Sequence, residues 1–459
     1  MRRGLSMPSA WFGHFNAVGW ITATYVAQQI IRLASNVVLA WLLAPALLGT
    51  MLLINTLRTG GELLTDVGVG QSIVNNPRGN DPAFFNTAWT VQIVRGALLS
   101  LLALALTIPI AHAYGEPELL VLIPAAAPIF FLSGLTSPAR FLLQKRLEIR
   151  KLALFDLATA IFGSGVQLLL AFLMPSIWAL ILALLIGAFV PMVASFFLID
   201  WRMHHLRWEK EAVRSIVHFG KWVFLSSLVY FLAMYFDRLY LADLIPLALL
   251  GVYGIARTFA DAFTELFQRM GNFLIFPKIS ATGLRGQELQ STINPMRLAL
   301  LGLVATGLAL AVALADQFIY LVYDARYHDA GFFLTVLLVG TWFAILASMA
   351  DAMMMGLGKP SGVAFGNCVK FFIILAGLPI LLPRYGLNAA MGAFVVAEAA
   401  RYIVVTWRKR GAGLSFIRQD LMLTVSFFLL ILLFREAAYA VGLTGSISDW
   451  AREGIQVNG

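Results

Sequence analysis

Gln28, Arg32, Ser35 and Asn36 follow one another at steps of four, three and one, so they share one face of a helix in a largely apolar stretch. Asn55, Arg58, Glu62 and Asp66 form a second such stripe. A guanidinium on a polar stripe presents a planar fork of donors that matches the oxygens of phosphate or carboxylate. Arg32 has no acid within a turn and is expected to face a cavity; Arg58 is the weaker candidate, because Glu62 stands four residues on. A third ladder consists of Tyr253, Arg257, Asp261, Glu265 and Arg269, with Asp237 and Arg238 in the preceding apolar stretch. Two readings stand side by side for it. Arg257 with Asp261 and Glu265 with Arg269 can neutralise each other one turn apart, or Asp237, Arg257, Asp261 and Glu265 border an inner surface. Lys370 with Asn367, and Glu398 with Arg401, suit helix-to-helix pairing at least as well as substrate contact.

The elements that must carry these charges are not those of a water-soluble domain. Hydrophobic residues make up 60% of the 459 and charged residues 12%, with mean hydropathy +0.83, whereas about a quarter of a soluble domain is charged. A helix of about 20 apolar residues crosses a bilayer. Thirteen such spans are expected, at 17–43, 47–69, 86–111, 118–137, 152–173, 178–199, 222–241, 249–275, 298–322, 332–356, 362–382, 388–405 and 421–441. The first is expected to be retained, since residues 1–15 have no apolar core followed by a cleavage site. Pro124, Pro128, Pro191 and Pro379 are expected to kink their spans. A charge at mid-membrane costs at least a few kcal/mol unless paired or hydrated, so these ladders require a polar interior.

Side of the membrane follows from the loops. With the N-terminus inside, the segments 1–16, 70–85, 138–151, 200–221, 276–297, 357–361 and 406–420 hold 21 lysines and arginines, against Arg326, Arg384, Arg435 and Arg452 opposite. The net charge of +9 is thereby accounted for, and no nucleic-acid partner is expected. Cys368 stands alone, which excludes an intramolecular disulfide and reads as a buried structural cysteine. The six histidines show no metal-ligand spacing, and the pair His204-His205 falls in a basic loop suited to contact with membrane lipid. Gly68-Val69-Gly70 reads as a helix end rather than a phosphate loop. No long extramembrane loop offers an active site, so no enzyme is expected.

The chain also repeats. Trp20 and Trp222 each open an apolar helix, and 29 residues on, Ala44-Pro45-Ala46-Leu47-Leu48-Gly49 answers Pro246-Leu247-Ala248-Leu249-Leu250-Gly251. Parallel repeats of this kind predict two six-helix lobes, 1–205 and 206–410, with an additional helix and tail at 411–459.

Glu62-Leu-Leu-Thr-Asp66-Val-Gly68-Val-Gly70-Gln71-Ser-Ile-Val74, followed by Asn86-Thr-Ala-Trp89 and Arg95-Gly96, resembles the end of the second helix and the start of the third in Wzx-type polysaccharide flippases of the MOP superfamily. Asp237-Arg238-Leu-Tyr-Leu-Ala-Asp and Leu250-Gly251-Val-Tyr253-Gly-Ile-Ala-Arg257 resemble the same family. The resemblance covers roughly residues 15 to 410. It implies an all-α integral membrane protein of 12–14 transmembrane helices, in two pseudo-symmetric six-helix lobes around a cavity that opens alternately to each side. Its substrate would be an oligosaccharide linked through diphosphate to undecaprenol, translocated across the bacterial inner membrane for surface polysaccharide synthesis. The polymerase and glycosyltransferases of the same pathway would be its partners. By helix and depth, Arg32, Arg58 and Arg257 match arginines that hold the phosphate-rich head in related flippases; Gln28, Asn36, Asn55, Glu62, Asp237 and Asp261 complete the expected lining. No cofactor is expected; a proton gradient, a sodium gradient or consumption of the product outside would give direction. The rivals are a MATE-like drug or cation antiporter, for which a carboxylate rather than Arg32 is expected on the first helix, and a membrane glycan polymerase or ligase.

Overall fold

The computed structural model describes residues 9–270, 286–357, 361–410 and 414–445. The basic residues Arg2, Arg3, Lys278, Arg285 and Lys359, expected inside, and the tail beyond 445 lie outside them. Among the described residues the chain is helical, without a strand.

The first unit comprises Met1–Leu43, Thr50–Leu228 and Ala242–Leu244; the second comprises Ala44–Gly49, Val229–Leu241 and Ile245–Gly459. The helices are α1 (Ser9–Leu42), α2 (Pro45–Leu63), α3 (Val69–Asn75), α4 (Pro82–Ala105), α5 (Thr107–Tyr114), α6 (Leu119–Ala126), α7 (Pro128–Leu135), α8 (Ala139–Lys145), α9 (Ile149–Leu173), α10 (Ile177–Ser195), α11 (Lys210–Leu244), α12 (Leu247–Met270), α13 (Gly286–Ala313), α14 (Ala315–Val322), α15 (Ala330–Gly356), α16 (Ser361–Arg410) and α17 (Ile417–Ala440). Over the described residues each of the thirteen expected spans falls on one or two of these helices; the last five residues of the span expected at 249–275 lie outside them. Eight are long and apolar enough to cross a membrane on those criteria alone, or nine if the bent stretch from Leu119 to Lys145 is one span.

Local chemistry sets the breaks. Pro45 begins α2 and Pro82 begins α4, where a missing N–H costs nothing. Asp81 caps α4 by accepting from the Ala83 N–H at 3.0 Å. Gly68, at φ 67°, turns the chain between α2 and α3, the helix end read from its sequence. Of the prolines, Pro128 starts α7 after a break, while Pro124 and Pro191 are accommodated within α6 and α10. Pro379 and Pro383 lie inside α16, whose direction changes at Gly386, with φ 74°. The span expected at 298–322 is interrupted at Leu314 between α13 and α14.

In the first unit α1 packs on α9, α4 on α7 and α9 on α10; in the second, α15 is the central helix, packed on α12, α14 and α16. Alanines and glycines let the backbones approach, as expected for packing in a lipid solvent. A β-carbon at Gly96 of α4 would lie 2.6 Å from the Phe130 carbonyl oxygen and 2.9 Å from Gly134.

Two expectations, for Cys368 and Arg435, need correction. Cys368 is only half-buried, on a helix face without full cover. Of the pair His204-His205, His205 is exposed, while the His204 ring is half-buried among Phe85, Trp89 and Phe196, at centroid distances of 5.7, 5.4 and 4.8 Å. Arg435, assigned above to the side opposite the N-terminus, is instead buried within its helix, because it finds Asp316 at 2.7 Å on α14.

Candidate functional site

The polar stripes form two groups, one in each unit. In the first unit, Arg32 is exposed and Gln28 and Asn36 are half-buried on α1, while Asn55, Arg58 and Glu62 are half-buried on α2. The helical step that suggested pairing brings Arg58 Nη1 2.8 Å from Glu62 Oε1. Both side chains keep about 30% of their surface, 29% and 32%, so the pair can still be approached by a charged ligand.

Arg95, on α4, closes this group. Its Nη2 donates to the Glu62 carbonyl, its Nε donates to Thr65 Oγ1 at 2.9 Å, and its guanidinium stands 3.9 Å from Asp66. Asp66 accepts from the Gly68 N–H at 2.9 Å. Carbonyls at the C-terminal end of α2 lack partners in their own helix, and Arg95 supplies one from across the fold. The segment from Glu62 to Gly68 is thus one half of a joint whose other half is Arg95-Gly96.

The neighbouring Asn86-Thr-Ala-Trp89 stretch has a related task. Asn86 Nδ2 donates to the Met203 carbonyl at 2.9 Å and Oδ1 accepts from the His205 N–H at 3.1 Å. The Thr87 and Thr90 hydroxyls accept from the N–H groups of Glu209 and Arg207, at 3.2 and 3.0 Å. Trp89 donates to the Leu135 carbonyl at 3.1 Å. One turn and a half of α4 therefore ties down the segment before α11, a role invisible without its partner segment.

In the second unit the ladder is a charge network. Arg257 of α12 lies 3.2 Å from Asp261 and 3.8 Å from Asp237, Arg238 of α11 pairs with Asp261, and the Tyr253 hydroxyl donates to Asp237. Lys370 of α16 lies 2.5 Å from Glu398, which is 3.5 Å from Arg401, and Arg401 pairs with Asp351 of α15. Four cations thus face four carboxylates. Asp237, Lys370 and Arg401 are 2–3% exposed, so balance is the condition for burying them. Arg257, Asp261, Lys370 and Glu398 meet around a cavity of about 30 Å³, with Thr264 and Thr341 in its wall, room for a water or two.

Of the residues selected from the sequence, the second unit brings together Asp237, Arg257, Asp261, Lys370, Glu398 and Arg401. Asp351 was missed: it sits alone in an apolar run, and only Arg401, 50 residues away, explains it. Lys370 pairs with Glu398 rather than Asn367. Glu265 and Arg269 lie on α12 beyond this network and have further interactions. No cluster of histidine, cysteine, aspartate and glutamate suited to a metal occurs among the described residues.

Comparison with known proteins places this geometry. Residues 38–331 match a family described as polysaccharide biosynthesis protein. The teichuronic acid biosynthesis protein TuaB of Bacillus subtilis (strain 168) is 19% identical over 353 residues, 75% of this chain and 72% of that protein. A putative O-antigen transporter of Shigella flexneri is 20% identical over 253 residues, 53% of this chain and 59% of that protein. Among solved structures, the lipid II flippase MurJ in an inward closed conformation superposes with TM-score 0.76 at 12% identity, covering 95% of this chain and 96% of its own. An inward-facing multidrug resistance MATE family transporter of the MOP superfamily superposes with TM-score 0.64 at 15% identity, covering 89% and 98%. The fold is the one these transporters share.

Proposed function

The chain belongs to the polysaccharide biosynthesis protein family, and from that premise we propose that it is a flippase, carrying a lipid-linked oligosaccharide across the bacterial inner membrane by alternating access. The observation that carries the reading is the family match over residues 38–331, most of the helical bundle. Relatives named for teichuronic acid synthesis and O-antigen transport point the same way. The substrate class is an oligosaccharide on a polyprenyl diphosphate, its head in a polar site and its tail left in the bilayer. The N-terminus is cytoplasmic, as the loop charges require.

Arg32 and Arg58 are the proposed head-group residues. Both retain exposed surface, and the Arg58–Glu62 pair holds one guanidinium in place without burying it. Gln28, Asn36 and Asn55 add neutral hydrogen-bonding groups on the same two helices. Asp237, Arg257 and Asp261 are proposed to border the inner surface of the second unit, where their mutual pairing keeps a nearly dry region charged but neutral overall.

The experiment is complementation of a strain lacking its own flippase. Arg32→Ala and Arg58→Ala should leave protein in the membrane and lower surface polysaccharide roughly ten- to a hundredfold, the equivalent of one charge-assisted contact of about 1.5–3 kcal/mol. Lysine should rescue only in part, keeping the charge and losing the fork. Loss of protein with normal transport by what remains, at both positions, would overturn the assignment; drug efflux without polysaccharide export would favour the antiporter.

A further inference from the structure

One face of the first three turns of α11 lines a shallow groove, widely open to its surroundings, formed by Glu211, Arg214, Ser215, His218, Phe219 and Trp222. Steps of three, one, three, one and three put these residues on a single helix face. Another face, with Ala212, Ile216 and Gly220, is buried and anchors the helix; a β-carbon at Gly220 would lie 2.6 Å from the Val67 carbonyl oxygen.

Chemistry changes in order along the groove. A carboxylate comes first, then a guanidinium with a hydroxyl and an imidazole, then two aromatic rings. Beyond Lys221 the helix carries no charge until Asp237, and Phe224 and Leu225 are exposed apolar side chains. The groove therefore straddles the level at which the helix passes from polar surroundings into hydrocarbon, where aromatic rings gather at membrane boundaries. Its ionic groups are available. The Glu211 side chain is 89% exposed, and its nearest cation, Arg78, stands 4.0 Å away while bridging Glu209 at 2.8 Å and Asp81 at 2.9 Å. Arg214 is exposed and makes no ion pair among the described residues. Ser215 Oγ accepts from Asn76 at 3.1 Å, leaving its own proton to donate.

We propose that this groove binds phosphatidylethanolamine. The primary ammonium goes to Glu211, the phosphate to Arg214, Ser215 and His218, and the acyl chains run down past Phe219 and Trp222. Glu211 and Arg214 are separated by about 4.5 Å along the axis, the reach of the two-carbon link between phosphate and ammonium. Charge complementarity selects this headgroup over others. A glycerol headgroup would place the same phosphate on Arg214 but offer Glu211 only neutral hydroxyls in place of an ammonium, a choline would offer it no N–H donor, and a diphosphate would meet Arg214 as the single full cation of the lining.

The test uses the full-length protein, stripped of lipid in detergent and offered equal amounts of phosphatidylethanolamine, phosphatidylglycerol and phosphatidylcholine with identical chains. Bound lipid is counted by native mass spectrometry. The expected result is several-fold preference for phosphatidylethanolamine. Arg214→Gln should lower its retention about fivefold, the worth of one cation near a phosphate surface, and Glu211→Gln should erase its advantage over phosphatidylglycerol. Both residues are exposed, so melting without lipid should match the wild type; if Arg214→Gln melts early, Arg214→Lys replaces it and should keep the preference. Equal retention of the ethanolamine and glycerol lipids by the wild type, or a preference that survives Glu211→Gln, overturns the proposal. So does displacement of phosphatidylethanolamine by a polyprenyl diphosphate at equal concentration, which would make the groove a substrate site.

Discussion

Gly49 and Gly251 meet backbone against backbone in the second unit: a β-carbon on Gly49 would lie 1.8 Å from the Leu247 carbonyl oxygen, and one on Gly251 2.0 Å from that of Pro45. The contact is reciprocal, each glycine lying over the first turn of the other's helix. These are the same two glycines that end the related stretches beginning at Trp20 and Trp222.

Alanine at either position has to push a helix start aside. Overpacking of this kind costs about 1–3 kcal/mol, so Gly49→Ala and Gly251→Ala should lower the melting temperature and the yield of monodisperse protein. Gly302→Ala, with nothing within 4 Å of its added carbon, is the control and should match or exceed the wild type. Equal behaviour of all three would show that the glycine contact is loose.

Arg435 and Asp316 are both buried, and Nη1 of Arg435 also donates to the Ala313 carbonyl at 3.0 Å. Removing one partner strands the other charge, at about 3–5 kcal/mol, whereas replacing both by apolar groups is often nearly neutral. Asp316→Leu or Arg435→Met alone should therefore destabilise more than the double replacement. A double variant as unstable as the two losses added together would argue against the pair.

Lys370 and Glu398 should show coupling of another kind, because Glu398 retains Arg401 when the lysine is lost. Lys370→Met and Glu398→Gln, alone and combined, form a double-mutant cycle with an expected interaction of roughly 1–3 kcal/mol. Additive losses in thermal unfolding would remove this pair from the network.

His204 predicts a pH dependence. Its Nδ1 lies 3.1 Å from the Trp201 carbonyl, which can only accept, so Nδ1 carries the proton and Nε2 accepts from Ser137 Oγ at 2.6 Å. Burial among the aromatic rings holds the imidazole below its ordinary range. Below about pH 6.5 the unfolded chain therefore takes up a proton that the folded ring resists, and stability falls as pH drops. Melting temperature measured from pH 8 to pH 5 should fall more steeply in the wild type than in His204→Gln; identical slopes would place the titration elsewhere.

Much of this protein could be read from its sequence, and the reason is that the relevant signals are local. Hydropathy over twenty residues and charge in short loops identify membrane helices, so each expected span fell on a helix even where proline or Gly386 interrupts it. Steps of four residues likewise exposed Arg58–Glu62 and Arg257–Asp261, since helical periodicity alone brings such side chains together. What periodicity cannot show is which helices become neighbours. Lys370 meets Glu398 at a separation of 28 residues, Arg401 meets Asp351 at 50, and Arg435 meets Asp316 at 119. Asn86 fastens a segment more than a hundred residues away. Only packing decided these contacts: once apolar surfaces set where the helices lie, each buried charge must pair with whatever opposite charge the neighbouring helix presents, because leaving it unpaired in a low dielectric costs more than the helix can recover.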